Sequence, residues 1–290
     1  MTPHRGYLLL ALAFVMLALT DPFGPPPAAA APYRTEQMMI PMTESNGSVA
    51  RLQTLVLIPQ TGARFPLAVV SHGAPRKDSD RPRMAPTDLL DVGTWLVGQG
   101  YAVAIPMRRG YGLSQGSYAE GYGPCQHPNF VRAGRTSAED IEAVVRYMQG
   151  QSFVDASRVI LVGHSAGAWG SIAAASEDPP GVVAAVVFAP GRASRSPDEV
   201  CEGDALVAAA RIFGETTRIP VLFVDSANDH YFNVKLAKTI FGGFGSTTQG
   251  TAEFLAAPSC LWDGHMLIHW CPNAWHSVVA AFLQKSVGGN

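Results

Sequence analysis

Gly163-His164-Ser165-Ala166-Gly167 sets a serine hydroxyl between two glycines, with an apolar run before it and an Ala-rich stretch behind. Arg158-Val159-Ile160-Leu161-Val162 reads as a buried strand, and Ala168 through Ala175 as a helix. A serine on so sharp a strand–turn–helix connection needs small flanking residues and stands ready for nucleophilic attack. The helix behind it would aim N–H groups and its positive dipole end at the charge that builds up during acyl transfer. The pattern G-x-S-x-G recurs at Gly112-Leu113-Ser114-Gln115-Gly116. Ser114 follows Pro106 and Arg108-Arg109-Gly110 and leads into Gly- and Tyr-rich sequence instead of a helix, so it reads as loop.

Activating Ser165 requires a base within hydrogen-bond reach and an acid to orient that base. Downstream, Asp225-Ser226-Ala227-Asn228-Asp229-His230 lies just past a strand, and Asp263-Gly264-His265 follows the last one. Asp204, Asp225, Asp229 and Asp263 compete for the acid position. The base comes from eight histidines, of which His265, His269 and His276 lie beyond the acid candidates.

The elements that must position these groups alternate in type. Gln37–Met42 and Leu52–Ile58 form a hairpin around Asn46-Gly47. Asn46-Gly47-Ser48 is also a glycosylation sequon, although the turn explains it without a sugar. Strands follow at 67–71, 101–105, 159–162, 182–188, 221–224 and 252–256, and helices at 87–98, 137–148 and 272–284. Continuous apolar strands between helices imply a parallel sheet covered on both faces. The connections at 106–136 and 191–218 are longer than such a sheet needs. Both leave the carboxyl edge, where these folds place their sites, so both read as loop covers.

Composition bounds the rest. The 290 residues, 47% hydrophobic and 15% charged, suffice for one sizeable core. A net charge of −2 gives no electrostatic reason to expect nucleic acid or an anionic membrane. At the N-terminus, His4 and Arg5 precede an apolar run from Tyr7 to Leu19, then Pro-rich sequence and Ala28-Ala29-Ala30-Ala31. This is the pattern of a secretory signal peptide over residues 1–30, cleaved after Ala30, and the run is too short for a membrane anchor. Export implies a periplasmic or secreted protein whose four cysteines, Cys125, Cys201, Cys260 and Cys271, form two disulfides. Three pairings are open. Cys260–Cys271 would close a short loop, and Cys125–Cys201 would join the two covers. The absence of any C-x-x-C pair argues against zinc, and neither metal nor cofactor is expected.

Taken together, Ser71-His72-Gly73, Arg109-Gly110-Tyr111-Gly112, the 163–167 elbow, Pro220-Val221-Leu222 leading to Asp229, and Gly264-His265 resemble the α/β-hydrolase superfamily, within it the dienelactone hydrolase-like group. The resemblance spans about residues 50–285. It implies a single-domain α/β-hydrolase fold over 31–290, a mostly parallel central sheet with helices on both faces. It also implies the chain order Ser, acid, His, which points to Ser165, Asp229 and His265 as the catalytic set and leaves Asp225 to cap or brace its turn. His72 and His164 fall at positions where the family carries a structural histidine. The oxyanion hole would use the N–H groups of Ala166 and Ala74, since Pro75 has none. True dienelactone hydrolases use a cysteine nucleophile, so Ser165 implies a broader ester hydrolase.

The substrate is the least legible part. Arg108 and Arg109 are candidates for holding an anionic substrate group, against the commoner role of binding neighbouring carbonyls or acidic side chains. Trp169, one turn past Ser165, could line an acyl pocket or pack in the core, and Tyr111, Tyr118, Tyr122, Tyr231 and Phe232 lie in loops over the site. Expected is an exported serine hydrolase cleaving a small-molecule carboxylic ester. Two alternatives stand beside it. One is a prolyl oligopeptidase-like peptidase, although no propeller domain precedes the elbow; the other is a hydrolase-fold acyltransferase or ligand-binding protein.

Overall fold

The computed structural model describes residues 33–288, so the expected signal peptide lies outside the described residues. Strands β1 (Tyr33–Thr43) and β2 (Val49–Pro59) form an antiparallel hairpin. Its turn is closed by the Gly47 N–H donating to Glu44 O at 2.9 Å, with Gly47 at φ +84°. The Asn46 side-chain oxygen accepts from the Ser48 N–H at 2.9 Å, so the turn itself uses the sequon residues.

After this hairpin the chain alternates: β3 (Phe65–Ser71), α1 (Leu90–Gly98), β4 (Ala102–Pro106), α2 (Phe130–Gln149), β5 (Val154–His164), α3 (Ala166–Ser176) and β6 (Val182–Phe188). A two-strand ribbon follows, β7 (Ser194–Ser196) and β8 (Glu199–Val200), then α4 (Gly203–Thr216), β9 (Val221–Ser226), α5 (Val234–Gly245), β10 (Ala252–Ala257), α6 (Leu267–Trp270) and α7 (His276–Val287). The eight-stranded sheet has the order β1-β2-β4-β3-β5-β6-β9-β10, parallel from β4 to β10 and antiparallel at both β2 pairings.

Alternate residues of each strand feed two cores. Val69, Leu161, Val187 and Phe223 face α2 to α5, whereas Val70, Val162, Val186 and Val224 face α1 and α7. Because both faces are covered, the strands read as unbroken apolar runs.

Two departures from the sequence reading concern the covers. Helix α2 begins at Phe130, seven residues before Ser137, because the Asn129 side chain caps it by accepting from the Arg132 N–H at 2.9 Å. Gly134 is no break there: a Cβ on it would meet the Phe213 ring at 2.6 Å, so the glycine permits close packing of α2 against α4. The second cover, 191–218, holds the fourteen-residue helix α4. Helix α5, which the sequence reading omits, is capped by the Asn233 side chain.

Candidate active site

Ser165 sits at the end of β5 and directly before α3, with φ +55° and ψ −119°. That backbone is held by its own N–H donating to Phe188 O at 2.8 Å. The flanking glycines are there for space. A Cβ on Gly167 would lie 2.2 Å from Ser71 O, and one on Gly163 would lie 2.5 Å from Ala168 Cα. Ser165 lines two cavities that meet at it, one of about 260 Å³ and one of about 430 Å³.

His265 lines the larger cavity, in the loop after β10. Its Nδ1 donates to Asp229 Oδ2 at 2.9 Å, with both side chains buried. The other carboxylate oxygen of Asp229 accepts the N–H groups of Tyr231 at 2.6 Å and Phe232 at 2.8 Å. Ser165 and His265 line the same cavity without a direct hydrogen bond between them; hydrogen bonds of this kind commonly tighten only in the complex with substrate. Further contacts fix the imidazole. Tyr231 stacks flat on it, His164 Nε2 donates to His265 O at 2.8 Å, and Asp263 accepts the His265 N–H at 2.9 Å.

Ala74 and Ala166 both line the smaller cavity, and neither N–H takes a backbone acceptor among the described residues. The Ala74 N–H is oriented through His72. The Arg108 N–H donates to His72 Nε2 at 3.1 Å, so His72 Nδ1 carries the ring hydrogen and donates to Gly73 O at 2.6 Å. Gly73 C=O and Ala74 N–H belong to one trans peptide and point opposite ways, so fixing the carbonyl aims the N–H. Burial, aided by the nearby Arg108 charge, lowers the His72 pKa to about 3, and burial likewise holds His164 well below its ordinary value. Both rings are neutral.

The competing residues lie elsewhere. Ser114 donates to Met107 O at 2.6 Å and accepts the Gln53 N–H at 2.8 Å, stapling its loop to β2. His230 pairs with Asp198 at 3.0 Å and His269 with Asp91 at 3.0 Å, while His276 stacks on Trp95. His127 is exposed in its loop, and Asp204 is exposed in the first turn of α4. Asp225 neither caps nor braces its turn. Both its carboxyl oxygens are buried without a partner, and burial, then the neighbouring Asp229 charge, raises its pKa well above its ordinary value and favours the protonated form.

The expected substrate contacts need correction. Arg109 lines neither cavity, because Asp140 takes its Nε at 2.6 Å and its backbone N–H at 2.7 Å while Glu139 takes Nη2 at 2.8 Å. Arg108 is fully buried on Glu120, Ser71 and His72 O. Tyr111 is wholly buried edge-on against His72. Trp169 is core, donating to Phe130 O at 2.9 Å and packing on Phe213. Of the aromatic residues expected over the site, Tyr118, Tyr122, Tyr231 and Phe232 line the smaller cavity, and Tyr231 lines the larger one as well. Arg76, Arg81 and Arg192, which the sequence reading passed over, line the smaller one. The signal available was position, since Arg76 follows the Ala74 loop and Arg192 follows β6 at the carboxyl edge.

The disulfides are Cys125–Cys201, with Cα atoms 5.2 Å apart, and Cys260–Cys271, with Cα atoms 5.9 Å apart. The first joins the two covers whose residues 121–123 and 191–194 line the smaller cavity. The second encloses His265. Among the described residues there is no cluster of metal-ligating side chains and no helix long and apolar enough to cross a membrane.

This sheet order and elbow define an α/β hydrolase. The sequence model of the X-Pro dipeptidyl-peptidases (S15 family) matches residues 46–230, well over half of the chain, and the chain belongs to that family. The match takes in the elbow and Asp229 and stops short of His265. No curated protein matches the chain. Among solved structures, an esterase of Pyrococcus furiosus is similar at TM-score 0.60 and 16% identity, over 88% of this chain and 92% of that one. A Penicillium α/β hydrolase gives TM-score 0.64 and 16% identity over 88% and 100%. A Butyrivibrio proteoclasticus protein with ferulic acid bound gives 0.60 and 17% over 85% and 99%.

Proposed function

We propose that this protein is a serine hydrolase that cleaves carboxylic esters through Ser165, His265 and Asp229. The observation that carries it is the buried His265–Asp229 hydrogen bond at the wall of a cavity that Ser165 shares. With Nδ1–H committed to Asp229, Nε2 is the free lone pair that takes the Ser165 proton as Oγ attacks the carbonyl carbon. The oxyanion would be received by the Ala74 and Ala166 N–H groups. Collapse returns the proton from His265 to the departing alcohol, and water then cleaves the acyl-enzyme by the same path in reverse. Two disulfides are compatible with the oxidising compartment implied by export.

The family match favours a second reading, a peptidase releasing N-terminal dipeptides. Such a substrate brings a free ammonium on its acyl side, and the arginine-lined cavity next to Ala166 is a poor host for it. The test is turnover of 4-nitrophenyl acetate against an X-Pro 4-nitroanilide. Ester turnover alone supports the first reading. Anilide turnover with comparable kcat/KM supports the second, and turnover of neither, with tight ligand binding, removes both.

A further inference from the structure

The two cavities meeting at Ser165 differ in chemistry. The larger is walled by His265, Met84, Leu89 and Met266, whereas the smaller holds Ala166 with Arg76, Arg81 and Arg192. On the esterase reading, on which this inference rests, the leaving oxygen collects its proton from His265. The alcohol therefore lies in the larger, apolar cavity and the acyl chain in the smaller one.

The charges of the smaller cavity do not balance. Arg81 is paired with Asp78. Arg192, 4% exposed, shares the Glu120 carboxylate with Arg108, so one anion answers two guanidiniums. Arg192 also donates to the Ser137 hydroxyl and to Glu120 O at 3.2 Å, and its Nε is buried without an acceptor. Arg76 rests on neutral groups only: Ser194 Oγ at 2.9 Å, His230 O at 3.2 Å and the face of Tyr231 at 3.5 Å. Two positive charges thus stand uncompensated around this wall, in a chain of net charge −2. A guanidinium at a cavity wall that lacks an acidic partner of its own is matched by the planar acceptor of a carboxylate.

We propose that the smaller cavity receives an acyl group ending in a carboxylate, so that the preferred substrates are half-esters of short dicarboxylic acids with an apolar alcohol. Its volume of about 260 Å³ suits a short chain. The test compares monobenzyl glutarate with benzyl pentanoate. A kcat/KM about ten-fold or more higher for the anionic ester is expected, since a hydrogen bond to a charged group is worth about that factor. The ratio should fall toward one in Arg76→Gln, an exposed position that leaves the Glu120 network intact, and should shrink as salt is raised. A ratio at or below one, with both esters cleaved, overturns the cavity assignment and leaves the esterase reading standing. If neither ester is cleaved the esterase reading fails. Calorimetric titration of glutarate into Ser165→Ala protein then decides the cavity: salt-sensitive binding that Arg76→Gln weakens supports it, and no binding overturns it.

Discussion

The Tyr231 ring lies flat on the His265 imidazole, centroids 3.9 Å apart and planes 8° apart, with the Arg76 guanidinium 3.5 Å from the same ring centroid. Two groups so close to one centroid must occupy opposite faces, so Tyr231 is clamped between them. A ring held this way limits rotation of His265 about its bond to Asp229. Tyr231→Phe keeps the stack and should retain near-native kcat. Tyr231→Ala should lower kcat about ten-fold or more with a smaller change in KM, as misplacement of a general base does. Steady-state kinetics on the two variants checks this.

Ser165→Ala should abolish labelling by a fluorophosphonate probe, whereas Ser114→Ala should leave labelling intact, because the Ser114 hydroxyl is engaged in its own loop. His265→Ala should lower kcat by several orders of magnitude. Labelling that survives Ser165→Ala would sink the mechanism.

In the proposed mechanism, His72 acts on the oxyanion donor Ala74 through the Gly73–Ala74 peptide, whose carbonyl it holds. His72→Ala removes the group that holds the Gly73 carbonyl and should cost about 10²-fold in kcat, the scale of losing one oxyanion donor. The neutral ring also predicts an acid limit. A group with its folded pKa lowered to about 3 stays unprotonated in the fold, while the unfolded chain binds a proton below about 6.5. Its share of stability is therefore complete above about pH 6.5 and is lost as pH falls toward 3. Chemical denaturation of wild type and His72→Gln between pH 7 and pH 4 should show a steeper decline for wild type.

Asp225 works in the opposite sense. Its folded pKa is raised, so the fold keeps a proton that the unfolded chain releases above about pH 4. Stability from this group falls as pH rises. Asp225→Asn, which mimics the protonated form, should raise the melting temperature by a few degrees at pH 8 and by less at pH 5. A melting temperature lowered equally at both pH values would refute the assignment.

Mild reduction should impair ester turnover more than it unfolds the protein. The Cys125–Cys201 bond ties the two covers and Cys260–Cys271 encloses His265, whereas no strand of the sheet carries a cysteine. Turnover and far-UV circular dichroism followed together during reduction test this, with simultaneous loss of both counting against it.

The sheet and the elbow were legible from local pattern, namely apolar runs and small residues at a sharp turn, whereas the choice of Asp229 and His265 among several acids and histidines came from the resemblance to the α/β hydrolases. The cavity walls were not legible. Arg109 and Trp169 carried the right chemistry at plausible positions, yet Asp140 on α2 claims one and Phe213 on α4 the other, contacts spanning 31 and 44 residues of sequence. Arg192 stood in a cover that looked like loop, and its importance depends on sharing Glu120 with Arg108, a relation that no local window contains. Asp225 looked like a turn residue because Asp commonly is one, and only burial distinguishes it.

Glu120 has a consequence for how this protein could have diverged. One carboxylate holds Arg108 of the strand-end loop and Arg192 of the opposite cover. Loss of Glu120 alone would leave two buried cations facing each other, whereas loss of Arg192 alone would leave a balanced Arg108–Glu120 pair. Among descendants of this sequence, Glu120 should persist wherever both arginines do, while Arg192 is free to change first, and a graft of the cavity that carries Arg192 onto another scaffold must carry Glu120 with it.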